Sequence, residues 1–345
     1  MAYTAVNKSS SFMNAKTFVG NASNQAISGI GFNPDFVFTK SRTVAYGANL
    51  YDKVRGVGKF FNGITTGAEG SSTAKIASFD ADGFTLKNGD NANYTNGQNA
   101  VAWAWKANGQ GSANTAGSIN TTYTSANTTS GFSIIKYNGN GSNNATIGHG
   151  LGVKPDYLII KKLNGAENWV VQNSIRGFNK YMYWDTTNAE NTHSGDFVAS
   201  VSSTLITLGT NGGVNNGSGE YICYAFANKT GFCKSGQYQG NGNADGKFIY
   251  LGFRPTFFMV KKTTVEDWAI WDSKRDSFNL RQKILRPNTT GAESDSAGSY
   301  GIDLLSNGIK LRASDGKLNT TDAFYTYLAF GQTLVGTNGV PGNAA

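Results

Sequence analysis

Three decapeptides in this chain follow one template. They are GFNPDFVFTK at 31–40, GVKPDYLIIK at 152–161 and GFRPTFFMVK at 252–261. Each runs from Gly-x-x-Pro through an apolar stretch to a closing Lys. More matches follow at matching distance. Arg55 and Arg176 each come 15 residues after that Lys, and Arg275 comes 14 after it. The words TTGAE (65–69), TTNAE (186–190) and TTGAE (289–293) come next. Each stretch closes on an apolar strand: VAWAW (101–105), ICYAF (222–226) and TYLAF (326–330). Similarity at a near-constant spacing means one structural unit used three times. Such a chain suits a scaffold or a multivalent binder better than an enzyme, whose site is usually built once.

The residues within a repeat specify strands. In the second copy, GFSIIKYNG (131–139), ATIGHGL, PDYLIIKK (155–162), NWVVQNSI (168–175), KYMYWDTT (180–187), FVASVSSTLITLG (197–209) and EYICYAFA (220–227) are short β-rich runs between turn signals. That spacing predicts an antiparallel sandwich or barrel. No stretch of useful length keeps a helical stripe. In the last strand, Ile222, Tyr224 and Phe226 share one face, and Tyr221, Cys223 and Ala225 share the other. Pro stands where each central strand opens, a position that need not donate to the ladder. The Gly three residues earlier supplies a turn or bulge. The fold class is therefore all-β, as three tandem antiparallel β-sandwich repeats. The boundaries are 1–106, 131–230 and 231–332. Residues 107–130, small and nearly uncharged, read as a flexible Ser/Thr/Asn/Gly linker, which would isolate the first repeat mechanically. Residues 333–345 read as a tail.

Forty-four glycines and only five prolines among 345 residues fit many tight turns. The net charge of +8 is spread as +4, +1 and +3 over 1–110, 111–230 and 231–345. Nucleic-acid binders cluster such charge into a stripe, so no nucleic-acid partner is expected. No apolar window is long enough to span a membrane, and no membrane insertion is expected. MAYTAVNKSSSF lacks the apolar core of a signal peptide. Two cysteines, Cys223 and Cys233, do not make a disulfide framework. A hairpin at Asn228–Gly231 could set them side by side, and two reduced thiols are the simpler reading.

Six charged residues recur with the repeat: Arg55 with Glu69, Arg176 with Glu190, and Arg275 with Glu293. They read as one structural ion pair per unit, because lone charges rarely bury without a partner. Trp103 and Trp105 share a strand face and read as core, since Leu328 takes the place of the first in the third copy. Trp169, Trp184, Trp268 and Trp271 lie near turns and are the candidate ligand-facing aromatics. FDADGF (79–84) lacks the distal carboxylate of a calcium loop, and a hairpin turn at Asp82–Gly83 explains it. His149 and His193 have no metal-ligand partner at useful spacing. Neither a nucleophile elbow nor a phosphate loop is present, and paired carboxylates on one strand are missing. The expectation is a protein that is not an enzyme, with no catalytic residue, no cofactor and no metal.

GFNPDFVFTK, LYDKVRG (50–56), TTGAE, SFDADGF (78–84) and AVAWAWK (100–106), in that order, resemble a module of marine tailed bacteriophages. That module occurs alone or in tandem in phage structural and tail-fibre-like proteins. The first repeat matches over most of its length. The second keeps Gly-x-x-Pro-Asp, Arg176–Gly177 and TTNAE. In the third, Thr256 replaces the Asp and Asp276 replaces the Gly after the Arg. The resemblance implies concanavalin-A-like or jelly-roll β-sandwiches and a virion location after assembly in host cytoplasm. It implies other virion proteins as partners, and supplies no catalytic residues. With the repeat, it suggests a non-enzymatic virion surface protein of short-fibre, knob or decoration type. Two roles compete: attachment to host surface polysaccharide, and capsid decoration without a receptor role. A homo-oligomer is expected, with a trimer as the guess. A glycan depolymerase and a soluble lectin are the rivals from other classes.

Overall fold

A computed structural model describes residues 4–296 and 298–333. The chain is nearly all-β and β-sandwich-like, with antiparallel sheets throughout. The first segment holds β1 (Met13–Val19), β2 (Gln25–Ser28), β3 (Phe36–Ser41), β4 (Asn49–Asp52) and β5 (Lys59–Asn62). It continues with β6 (Gly70–Ser71), β7 (Ile76–Asp80), β8 (Gly83–Leu86) and β9 (Asn99–Trp105). The second holds β10 (Tyr123–Asn127), β11 (Phe132–Asn138), β12 (Ala145–Gly148), β13 (Tyr157–Lys162), β14 (Val170–Asn173) and β15 (Lys180–Tyr183). Then come β16 (Asn191–Thr192), β17 (Val198–Val201), β18 (Leu205–Leu208), the one-turn helix α1 (Gly212–Asn215) and β19 (Glu220–Phe226). The third holds β20 (Cys233–Gln239), β21 (Phe248–Tyr250), β22 (Phe253–Lys262), β23 (Trp268–Asp272) and β24 (Lys283–Ile284). It ends with β25 (Ser294–Asp295), β26 (Ile302–Leu305), β27 (Gly308–Leu311) and β28 (Phe324–Thr333).

Strand order recurs between the segments. The long sheets run β1-β9-β3-β4-β5-β6, then β10-β11-β19-β13-β14-β15-β16, then β20-β28-β22-β23. In the third, an isolated bridge between Ile270 and Leu285 carries β23 on towards the β24-β25 pair. The short sheets are β2-β8-β7, β12-β18-β17 and β21-β27-β26. Gly31, Gly152 and Gly252 all take positive φ, at 91°, 70° and 81°. Each turns the chain sharply just before the central strand, a conformation open to Gly at little cost. Pro34 and Pro155 precede their strands, whereas Pro255 lies inside β22 beside a register shift.

The long sheets bury both faces. One face packs within its own segment. Ala102 and Ala104 meet Val37, Ile27 and Phe84 there. Tyr221, Cys223 and Ala225 meet Leu158, Ile147 and Ile206. Tyr325, Tyr327 and Ala329 meet Phe258, Ile249 and Ile309. The other face packs against the other two segments in one common core. Rings meet there across all three boundaries. Phe36 lies 4.6 Å from Tyr224, Trp105 lies 5.7 Å from Phe330, and Phe226 lies 5.6 Å from Phe330, between centroids. The alternation of aromatic and small residues in VAWAW now has its cause: Trp103 and Trp105 fill the common core, and Ala102 and Ala104 face inward.

Four expectations change. Residues 107–130 are not a free linker. Ala107 N–H donates to Asp35 of the first segment, β10 joins the second segment's long sheet, and Ile119 enters that segment's core. The first segment is therefore not mechanically isolated, because it shares a core with the others. The turn after Asn228 closes only through the bridge of Lys229 with Cys233 and does not pair β19 with β20, which belong to different sheets. Cys223 faces the second segment's core, Cys233 faces the common core, and both thiols are free. The β7–β8 turn uses Ala81 and Asp82, with Gly83 paired opposite Asp80. The Asp82 carboxylate accepts from the N–H of Gly29 and of Gly31. The tail from 334 onward lies outside the described residues.

A common core predicts common unfolding. Trp103→Ala should cost about 3–5 kcal/mol, read by urea denaturation. Scanning calorimetry of the wild type should show one endotherm whose calorimetric and van't Hoff enthalpies agree. Two resolved transitions would mean that a segment folds without the common core.

Candidate functional site

The residues that recur in the sequence converge on three junctions between segments. Each Thr-Thr-x-Ala-Glu word lies against the end of the next segment's central strand. The Glu69 N–H donates to Leu163 O at 2.8 Å, Glu190 N–H to Thr263 O at 2.7 Å, and Glu293 N–H to Arg42 O at 2.8 Å. Leu163, Thr263 and Arg42 each stand two residues after the closing Lys of the decapeptide. The first segment thus grips the second, the second grips the third, and the third grips the first. The contact is head-to-tail and it closes.

The closing lysines lock these junctions. Lys161 Nζ donates to Thr66 O across the junction and to Glu167 O on its own side, at 2.8 and 2.6 Å. Lys40 Nζ donates to Thr289 O and Tyr46 O. Lys261 Nζ donates to Thr264 O and Lys262 O, and reaches Thr187 O at 3.5 Å. All three lysines are fully buried. Burial pushes each ammonium down to about 8, with Arg286 adding repulsion at Lys40. An ammonium can donate in three directions, and backbone carbonyls from two segments accept two of these bonds at Lys40 and Lys161 and three at Lys261.

The six charged residues singled out by sequence sit behind the same words. Arg275 Nη1 lies 2.9 Å from Glu293, Arg55 Nη1 lies 3.4 Å from Glu69, and Arg176 holds Glu190 through two 2.8 Å bonds. Two further carboxylates complete the buried pairs. Asp52 accepts from Arg55 Nε and Asp272 accepts from Arg275 Nε. Burial alone would raise the Asp272 pKa, but the Arg275 guanidinium holds it below the ordinary carboxylate range. Both acids also accept across a junction. Tyr224 Oη donates to Asp52 at 2.8 Å, and Trp103 Nε1 donates to Asp272 at 3.0 Å. The third junction lacks both parts. Leu328 stands where the register places Tyr224 and Trp103, and neutral Asn173 stands where it places Asp52 and Asp272. Asn173 instead donates its own amide across the junction, to Thr326 Oγ1 at 3.2 Å. Sequence reading missed Asp52 and Asp272. The available signal was Asp52-x-x-Arg55, Asn173-x-x-Arg176 and Asp272-x-x-Arg275.

The four candidate ligand-facing tryptophans are interior. Trp169, Trp184, Trp268 and Trp271 are at most 2% exposed. Trp169 and Trp268 donate across junctions to Thr65 O and Tyr183 O. Trp271 donates to Tyr300 O inside the third segment. Trp184 packs edge-on against Trp169 and Phe38. For Trp169, Trp184 and Trp268 closeness to turns in sequence is closeness to the neighbouring segment in space, which covers them, whereas Trp271 is covered by the third segment's own core. The large apolar side chains that do face outward include Tyr94, Phe248, Tyr250, Val265 and Phe278. Among the described residues no His, Cys, Asp and Glu cluster could hold a metal ion. No helix among them is long and apolar enough to cross a membrane.

Arg275→Ala leaves buried Asp272 without its guanidinium partner, while Glu293 keeps Arg42, and should cost about 3–5 kcal/mol. Arg176→Ala should cost less, because the Arg176 side chain keeps 20% of its surface in water. Chemical denaturation of both variants checks the order. Lys161 gives a pH signature. Its folded pKa of about 8 lies below the unfolded value near 10.4. The unfolded chain therefore binds the proton more tightly, and the charged lysine destabilises the fold below pH 8. The stability of the wild type relative to Lys161→Met should rise from pH 8 towards about pH 10.4. A flat difference across that window would contradict the burial of this charge.

No curated protein and no solved structure matches the chain. Residues 8–333 match a family model described as a domain of unknown function, DUF7483, and with nearly the whole length matched the chain belongs to that family.

Proposed function

We propose that the chain is three copies of one β-sandwich unit, concanavalin-A-like or jelly-roll in type, closed into a ring within a single polypeptide. We propose further that it is a non-enzymatic virion surface protein of a tailed phage, a short fibre, knob or decoration, that attaches to host surface glycan. The observation that carries the binding role is the cyclic closure itself. The recurrent Lys, Arg and Glu side chains, which a catalytic site would draw upon, are engaged in joining segments. What remains for function is the outside: turns, short-sheet faces and a few exposed rings. The virion setting is supported by the order of GFNPDFVFTK, LYDKVRG, TTGAE, SFDADGF and AVAWAWK.

Closure within one chain also bears on assembly. A homotrimer of single units would need three chains to close such a ring, and this chain closes it alone. Any homo-oligomer, and any contact with other virion proteins, must then use outward surfaces. Weak sites on a rigid body gain strength when many bodies are displayed together.

Electron cryo-microscopy of purified phage particles containing the chain tests the location. Density at the tail tip or fibres, with binding of the isolated chain on a glycan array, is the expected result. Density on the shell with an empty array would favour decoration. Absence from the particle would overturn the virion reading, and polymer cleavage by the pure chain would favour the depolymerase.

A further inference from the structure

The third segment carries outward chemistry that the other two lack. Tyr250, at the end of edge strand β21, is 56% exposed. In the strand ladders it pairs with Gly308, and the positions that pair equivalently in the other segments are Gly148 and Ser28. Lys234 on β20 pairs with Ala329, and its counterparts are Ser133 and Asn14. Lys234 Nζ lies 5.3 Å from the centre of the Tyr250 ring and donates to Tyr250 O at 2.7 Å.

A purely structural role explains part of this. Asn14 Nδ2 donates to Ile30 O at 2.9 Å in the first segment, so a polar side chain there tethers the neighbouring strand. An amide suffices for that tether. The positive charge and the exposed ring are additions.

These two side chains wall a shallow pocket of about 320 Å3, whose floor includes Asn228 and Lys229. A second hollow of about 290 Å3, lined also by Thr4 and Thr129, shares Asn228, Lys229 and Thr230 with the first. The two hollows adjoin at Asn228, Lys229 and Thr230, and together they make the groove. Neither Lys229 nor Lys234 is in an ion pair among the described residues. The nearby Asp156 is engaged by Ser174 Oγ and by the Asn228 N–H.

We infer that this groove binds an anionic glycan, with a sugar ring on Tyr250 and its acidic group between Lys234 and Lys229. The chemistry matches part by part. The carbon–hydrogen face of a pyranose packs on an aromatic ring. Hydroxyl and amide groups at Thr4, Thr129 and Asn228 suit sugar hydroxyls. Two lysines without acid partners suit a carboxylate or a sulfate. The inference rests on the glycan-attachment reading above and names the class of glycan and its place.

Calorimetric titration of the full chain with polygalacturonate oligomers, dextran sulfate oligomers and neutral dextran tests it. Binding of an anionic oligomer, weakening with added salt, with none for neutral dextran, is expected. Preference between the two anions identifies carboxylate or sulfate as the group read. Tyr250→Ser and Lys234→Asn install the residues found in the first segment, and Lys234→Asn keeps a polar tether. Each should leave the melting temperature unchanged and weaken binding roughly tenfold or more. Lys234→Arg should retain binding. Anionic binding that survives Tyr250→Ser and Lys234→Asn would place the site elsewhere and leave glycan attachment standing. Binding of neutral dextran alone would overturn the role of the lysines. A chain that binds none of these probes, and no member of a glycan array, would overturn both readings.

Discussion

Each long sheet has two apolar faces, and its own segment can cover only one of them. The short three-stranded sheet takes the inner face. The outer face carries Trp103 and Trp105, or Tyr224 and Phe226, or Leu328 and Phe330. Left in water, such a face would be a large exposed apolar patch, of the kind that marks an interaction surface or an aggregation hazard. The chain supplies the missing cover from itself. Three outer faces meet, and each becomes the lid of the other two. The closed head-to-tail arrangement follows, because a contact that repeats by the same rotation must either return to its start or run on into a filament.

Closing an apolar core in this way forces polar groups out of water at its rim. Strand ends and turn carbonyls of adjacent segments approach there, and their hydrogen bonds must be replaced. The closing lysines do this at all three junctions by donating to carbonyls of the neighbouring or the same segment. The Asp and Arg pairs do it one layer deeper. Asp52 and Asp272 are tolerated because each receives an Arg and one further donor from another segment. The Leu328 and Asn173 combination shows the same rule from the opposite side. Where the Tyr or Trp donor is lost the acid is lost too, and the amide in its place donates to Thr326 Oγ1.

How much of this could be read in the sequence follows from what sequence encodes. Local alternation encodes strands and their two faces, so the split between Tyr224 and Cys223 was legible. Spacing encodes repetition, so the pairing of Arg176 with Glu190 was legible as well. Neither encodes what lies on the far side of a sheet. Trp169 and Trp268 looked like surface residues because they stand beside turns, and the turn that covers each belongs to another segment. Residues 107–130 looked flexible because small polar residues are common in linkers. Here they fold as an added edge strand and bridges, held by Ser112, Ile119 and Thr124. The closing Lys was visible in every copy, yet a lysine at the end of a strand is ordinarily solvated. Its role needs the neighbouring segment's carbonyls, and these come from far along the chain.

Repetition and function make opposite demands on such a chain. The junctions need the segments to stay alike where they meet, since a change in one contact must be answered in its partner. Residues that face outward have no such partner and are free to diverge. Differences among segments that are not matched across a junction therefore point to the exterior chemistry. Leu328 and Asn173 differ together and answer one another. Tyr250 and Lys234 differ from their register counterparts with no answering change at a junction. Their neighbours are each other and the groove beside them, which is where selection for a ligand would leave its mark.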